Sequence, residues 1–332
     1  MAATKGGDRA TTGEKSILSG GSDATEVYAN ASVVGSNNFT STLTDSRNKN
    51  GESLEETAEE ELADRLSSLP DCIIAHILLH LCTWEAVRTC VLSKRWTDVW
   101  TQVHVLDISG AKTESQKIFK NKFMRRPSLF IQFVGKVLSL SESAAQVLLL
   151  DIVCEDVSEQ LLNSWVETMM SEQFREITIS SGFMKLQATS FNSNKLVVLS
   201  LSCFKLDIQE GFSLPKLESL SLCRVYLCGE DSLKNLLSGC SMLREAFIRD
   251  CHSTGDMMHL HSSSLKRLEM MHTTRFCCLG FGLISINAPN LEYINLSDDA
   301  FNYDITLPAI VEARIRLHDR IIEVAFFTNF QE

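Results

Sequence analysis

A chain of 332 residues, 44% hydrophobic and 22% charged, has ordinary globular composition and enough length for one large domain or two unequal ones. Its formal net charge of -11 argues against a nucleic-acid partner, which needs a basic face to release counterions. Nothing approaches eighteen consecutive apolar residues, and the N-terminus lacks the basic, apolar, small-residue order of a signal peptide, so neither a membrane partner nor secretion is expected.

Residues 1–62 are rich in Gly, Ser, Thr and Asn and poor in apolar side chains. Such a composition cannot offset chain entropy, and a disordered tail is expected. Its acidic end, from Glu55 to Glu61, reads as a solvated charge run. At Leu66 the character changes. Leu69-Pro70-Asp71 leads into Ile73, Ile74, Ile77, Leu78 and Leu81 at helical spacing, with Pro70 suited to a first turn. Thr83 and Ser93 are candidate caps of two further short helices. The first carries Val87, Cys90 and Val91, the second Trp96, Val99, Trp100 and Val103 at i, i+3, i+4 and i+7. Three short helices within residues 63–109 cannot enclose a large core, so their apolar faces call for a partner or for the following domain.

Two blocks in this stretch carry a family resemblance. Asp64-Arg65-Leu66-Ser67-Ser68-Leu69-Pro70-Asp71-Cys72-Ile73-Ile74-Ala75-His76-Ile77-Leu78 is similar to the opening of plant F-box domains. So is Val87-Arg88-Thr89-Cys90-Val91-Leu92-Ser93-Lys94-Arg95-Trp96, followed by Trp100 and Leu106-Asp107. The match covers the whole module in order and without gaps.

Residues 110–142 read as a helical linker, in which Phe130, Val134, Val137 and Leu138 describe a helix that caps the next domain. Residues 143–320 repeat an apolar-x-x-apolar-x-apolar pattern. Copies start at Val147, Phe174, Leu196, Leu217, Leu243, Leu265, Leu291 and Ile310, 19 to 27 residues apart, around the leucine-rich-repeat period. Pro215, Pro289 and Pro308 each stand two residues before a start, where a strand entrance tolerates proline. Each copy is expected to form a short strand with alternate side chains inward, and stacked copies share one core. Ser232–Ser238 suits a helix or turn on the outer face.

With Trp165, these copies resemble the irregular leucine-rich repeats of plant F-box proteins. The expected fold is therefore α/β: a disordered tail, a three-helix F-box, the helical linker, a leucine-rich-repeat solenoid with a parallel sheet, and a C-terminal tail over residues 321–332. Relatives of that kind often carry a further C-terminal domain, whereas this sequence stops at Glu332. An incomplete recognition surface or a truncated product is the corresponding expectation.

Catalytic and metal chemistry find little support. Cys223/Cys228, Cys277-Cys278 and Cys251-His252 lack paired zinc-ligand spacing, and Cys223 and Cys251 fall just after repeat strands as core thiols. The odd count of 11 cysteines suits reduced thiols of the nucleus or cytoplasm. Gly280-Phe281-Gly282 reads as a turn, and His259 and His261 as surface residues of a loop. No cofactor, metal ligand or catalytic residue is expected. A hydrolase stands as a remote alternative, requiring His with Asp or Cys on one face.

The resemblance implies docking of the F-box on a Skp-type adaptor, and through it on cullin and RING subunits, while the repeats hold a protein substrate for ubiquitination. By the same resemblance the adaptor contacts fall on Leu69, Pro70, Ile73, Ile74, Leu78, Val91, Leu92, Lys94 and Trp96, with Ile77, Val99 and Trp100 as internal packing. Repeat geometry places substrate contacts on the concave strands, at positions such as Ser200, Ser221, Phe247, Glu269 and Asn295, or on loops at the repeat edges. Without a Lys/Arg cluster suited to polyphosphate, neither a hormone nor an inositol phosphate is expected. The alternative function is a protein-interaction module whose F-box and adaptor work outside any ligase.

Overall fold

Helix α1 spans Asp71–Leu78, α2 Thr83–Arg88 and α3 Lys94–Trp100, with a 3-10 turn at Thr89–Val91 between the last two. The computed structural model describes residues 68–109, 117, 121, 125–140, 145–152, 156–171, 174–187, 191–208, 212–229, 231–254, 257–272, 283–297, 302–317 and 320–325. The expected tail, its acidic run, residues 64–67 of the F-box motif, Cys277-Cys278 and Gly280-Phe281-Gly282 lie outside the described residues.

The apolar spacing of the three helices is used as expected on one side. Ile74 and Leu78 from α1, and Trp96, Val99 and Trp100 from α3, are all at most 5% exposed. The capping expectations need correction. Cys82, not Thr83, is the N-cap of α2, so the Thr83 hydroxyl sits inside the first turn and finds no hydrogen-bond partner. Ser93 is the N-cap of α3, but its side chain makes no capping bond. Pro70 stands one position earlier than expected, as the N-cap of α1.

A parallel sheet begins directly after α3, inside the span assigned to the docking module. Strand β1 (Val105–Ile108) pairs with β2 (Val147–Asp151) in parallel, and β2 with β3 (Glu176–Gln187). The order continues through β4 (Val198–Asp207), β5 (Ser219–Cys223), β7 (Glu245–Arg249), β10 (Arg267–Met271), β12 (Tyr293–Ser297) and β14 (Glu312–Leu317). The final strand, β15 (Arg320–Ala325), turns back antiparallel on β14, where a tail was expected. From the second copy onward, each strand starts two residues after the predicted repeat start. The first leucine of a copy is a buried entrance residue, and the alternation of buried and exposed positions begins beyond it. By that rule the first copy starts at Ala145, two residues before Val147.

The three prolines therefore lie in turns two residues before Leu217, Leu291 and Ile310 rather than at the strands themselves. Between strands the chain crosses back by varied routes, which is how the period stays irregular. Helix α4 (Pro127–Leu140) buries Phe130, Val134, Val137 and Leu138 as expected. It meets α5 (Glu159–Ser171) through Phe130 and Trp165, whose ring centroids are 6.4 Å apart. Helix α6 (Ser232–Ser238) lies on the return path from β5 to β7, packs against the segment Met257–His261 and buries Leu233, Leu236 and Leu237. Short strands β6 (Tyr226–Leu227) and β8 (His252–Ser253) continue the ladder past a corner. A second parallel sheet, β9 (Met257–His261), β11 (Leu283–Asn287) and β13 (Asn302–Thr306), forms on the return side of the last repeats. His259 and His261 lie in this sheet, not in a loop.

Among the described residues no helix is long and apolar enough to cross a membrane.

Candidate functional site

Two surfaces separate by their chemistry. On the helical module, Ile73 is 45% exposed, Ile77 36%, Val91 75% and Leu92 52%, and Pro70 is exposed beside half-buried Leu69. Ile73 and Ile77 share one outward side of α1. Val91 and Leu92 end the 3-10 turn, whose tight geometry lifts two consecutive apolar side chains off the core. Packing of α1 on α3 is fastened at the rim by the Arg95 guanidinium, which donates to Asp71 Oδ1 at 2.6 Å.

The structure divides the expected adaptor contacts. Leu69, Pro70, Ile73, Val91 and Leu92 are accessible, whereas Ile74, Leu78 and Trp96 form the interior of the module. Helical period explains the split: positions 74 and 78 point one way, 73 and 77 the other. Ile77, expected as internal packing, belongs to the exposed side. Lys94 opens α3, and its side chain lies outside what is described.

The second surface is the solvent face of the long sheet. Register aligns Thr178, Ser200, Ser221, Phe247, Glu269, Asn295 and Arg314 in one row, one residue per strand. All five expected substrate-contact residues fall in this row and are partly exposed. A parallel row at the strand entrances holds Glu245, Arg267, Tyr293 and Glu312, and one at the strand exits holds Cys223, Arg249, Met271, Ser297 and Arg316. Arg267 stacks 3.9 Å over the Tyr293 ring and donates through Nε to Glu269 Oε1 at 3.1 Å. That carboxylate holds the guanidinium above its already high ordinary pKa. The arginine and tyrosine neighbours of this row were not anticipated. They occupy the exposed alternate positions, where a leucine-based pattern carries no information.

Burial pushes the Cys82 thiol up to about 11 and those of Cys240 and Cys251 to about 12, keeping them protonated and unreactive. Cys251 is a core thiol as expected, whereas Cys223 ends β5 on the solvent face, half-buried. Among the described residues, His259, Ser285 and Asp304 align in one row across β9, β11 and β13. There serine separates histidine from aspartate, so the imidazole cannot bridge nucleophile and orienting carboxylate. Among the described residues no group of three His, Cys, Asp or Glu could hold a metal ion.

A three-helix module fused to a parallel-strand repeat array defines the class, a protein of the F-box and leucine-rich-repeat type. The F-box domain family matches residues 66–107, and the family described as FBD-associated F-box protein At5g56370, LRR repeats, matches residues 162–313. Relatives in Arabidopsis thaliana include F-box/LRR-repeat protein 13, 29% identical over 71% of this chain and 52% of its own. F-box/FBD/LRR-repeat protein At2g04230 is 30% identical over 70% and 53%, and F-box/LRR-repeat protein At2g42730 29% identical over 76% and 57%. No solved structure matches the chain. The chain belongs to the plant F-box/leucine-rich-repeat proteins, and it spans about half the length of the curated relatives it matches.

Proposed function

We propose that this protein is the substrate-recognition subunit of a Skp–cullin–F-box ubiquitin ligase, non-catalytic itself, holding a target protein on its repeats. The observation that carries the reading is the exposed apolar set Ile73, Ile77, Val91 and Leu92. Among the described residues these are four of nine exposed large hydrophobic side chains, gathered on a module of some forty residues. Exposed apolar side chains so concentrated mark a docking surface. Burying one contributes roughly 1.5–3 kcal/mol, so a few of them can dominate adaptor affinity. The ligase would act by proximity, raising the effective concentration of substrate lysines near the charged conjugating enzyme. Its compartment would be the nucleus or cytoplasm, where the free thiols stay reduced.

The test is co-purification of a Skp-type adaptor and cullin with the wild type and with Ile73→Glu/Leu92→Glu. Both positions are exposed, so the double variant keeps its fold and loses the adaptor. Undiminished adaptor capture by the folded variant would defeat the docking assignment. Adaptor without cullin in the wild-type complex would instead favour an interaction module that works outside a ligase.

A further inference from the structure

The solvent face of the long sheet changes character along the array. On β3, β4 and β5 it carries small side chains such as Thr178, Ser200 and Ser221. From β7 to β14 it carries Phe247, Met271 and Tyr293 with four arginines and three glutamates. The charges are not evenly matched. Glu269 is engaged by Arg267, and Glu312 by Arg314 at 3.2 Å, while Glu245 stands in the entrance row. From β5 to β14 the charged residues of the exit row, Arg249 and Arg316, are both cations. Arg249 and Arg316 are exposed, and among the described residues neither has a carboxylate within salt-bridge distance. Arg249 Nη2 lies 3.8 Å from Met271 Sδ, laid along an apolar neighbour rather than paired.

Arg249 and Arg316 stand three strand spacings apart, about 14 Å. Met271 lies between them, with Phe247 in the adjoining row. This floor is preorganised, because stacking and pairing fix Arg267, Tyr293 and Glu269 before anything binds. Arginine and aromatic side chains held rigid in this way are the usual hot spots of protein interfaces. Separated guanidinium groups over an apolar floor fit carboxylates on either side of an apolar anchor. Nucleic acid fits poorly, since two arginines on a chain of net charge -11 cannot neutralise a run of phosphates.

We propose that the C-terminal half of this sheet face binds an extended acidic segment of a protein substrate, its carboxylates flanking a large apolar side chain. The inference rests on the reading of the repeats as the substrate-holding surface. The experiment measures binding of labelled twelve-residue peptides to the full chain, each with a central Phe or Leu flanked by Glu, Ser or Lys. The Glu-flanked set should bind tightest, weaken as NaCl rises, and lose at least about tenfold in affinity to Arg249→Glu/Arg316→Glu. Lys234→Glu, an exposed charge reversal on the return helix α6, should leave that affinity unchanged. Equal or better binding of the Lys-flanked set would overturn the proposal, as would an unaltered affinity in the folded double variant. Displacement of the acidic peptide by a single-stranded oligonucleotide of equal charge would overturn it in favour of nucleic acid. Adaptor capture by the same preparations reports on the docking face separately. A chain that captures adaptor but shows no acidic preference therefore sinks this inference and leaves the ligase reading standing.

Discussion

Phe183, Cys203, Arg224 and Asp250 hold left-handed backbone, with φ of 66°, 60°, 52° and 51°, and none is glycine. Register puts them at one position: Cys203 aligns with Arg224, Arg224 with Asp250, and Phe183 with Cys203 beyond the bulge in β3. Each follows the exit row and turns the chain inward, so that Phe204, Val225 and Cys251 can bury behind the sheet. The N–H of Arg224 donates to the Arg249 carbonyl and that of Asp250 to the Met271 carbonyl, both at 2.8 Å, which holds the corner despite its strain. Arg224→Gly should therefore be close to neutral, whereas Arg224→Val should destabilise by about 1–2 kcal/mol, measured as a shift in denaturant midpoint. A harmless valine would show that the corner is not left-handed in solution. Beyond the same corner lies His252, its ring 4.8 Å from His272. Burial first, then the His272 neighbour, lowers the His252 pKa, and Asp250 opposes the shift in part. A folded pKa below the unfolded value of about 6.5 gives stability that is present above that value and lost as pH falls through the folded pKa. His252→Phe should flatten the loss of stability between about pH 7 and 5. An unchanged slope in melts at the two pH values would assign the acid sensitivity elsewhere.

At the scale of the element, the leucine pattern was readable because inward positions must be apolar whatever the strand pairs with. The helices at Pro127–Leu140 and Ser232–Ser238 were legible for the same reason. The strand starts, the left-handed corners and the second sheet were not. Strand limits depend on which backbone groups find neighbours, and β9, β11 and β13 come from stretches too short and mixed to show a period. Nor could the leucine pattern separate Ile73 from Ile74 by role, since both are apolar and only the packed module decides which faces out. Gly239 shows another contact that no local pattern reveals. It ends α6, and a Cβ there would lie 2.3 Å from the Phe212 carbonyl oxygen and 2.7 Å from its ring. Its own carbonyl accepts from Leu214 N–H at 2.9 Å, so the helix end cannot draw back without losing that bond. Gly239→Ala should cost about 1–3 kcal/mol through overpacking, despite alanine's better helix propensity. A stabilised alanine variant in a denaturant titration would show that the two segments are free to separate.

Across the whole molecule, the docking module and the repeats are joined by packing as well as by sequence. Helix α2 lies against β1, the first strand of the sheet, and its Trp84 meets Phe133 of α4 edge to face at 5.8 Å. From α4, Phe130 reaches Trp165 of α5, so aromatic contacts run from the F-box into the repeat core. This matters for the proposed function, because a receptor acts by proximity only when its two surfaces keep a fixed geometry. Repeat stacking adds cooperativity of its own, since no copy can bury its face without a neighbour. Residues 68–317 should therefore unfold with one transition in which tryptophan fluorescence, reporting Trp84, Trp96, Trp100 and Trp165, coincides with far-ultraviolet circular dichroism. Trp84, only 6% exposed, is the joint to remove. Trp84→Ala should cost about 3–5 kcal/mol and either lower that single transition or split the F-box signal from the repeat signal. Either result locates Trp84 in the shared core. A variant that melts like the wild type, with the same single transition, would mean that the modules are joined by the chain alone, and a fixed-geometry receptor would then need another source of rigidity.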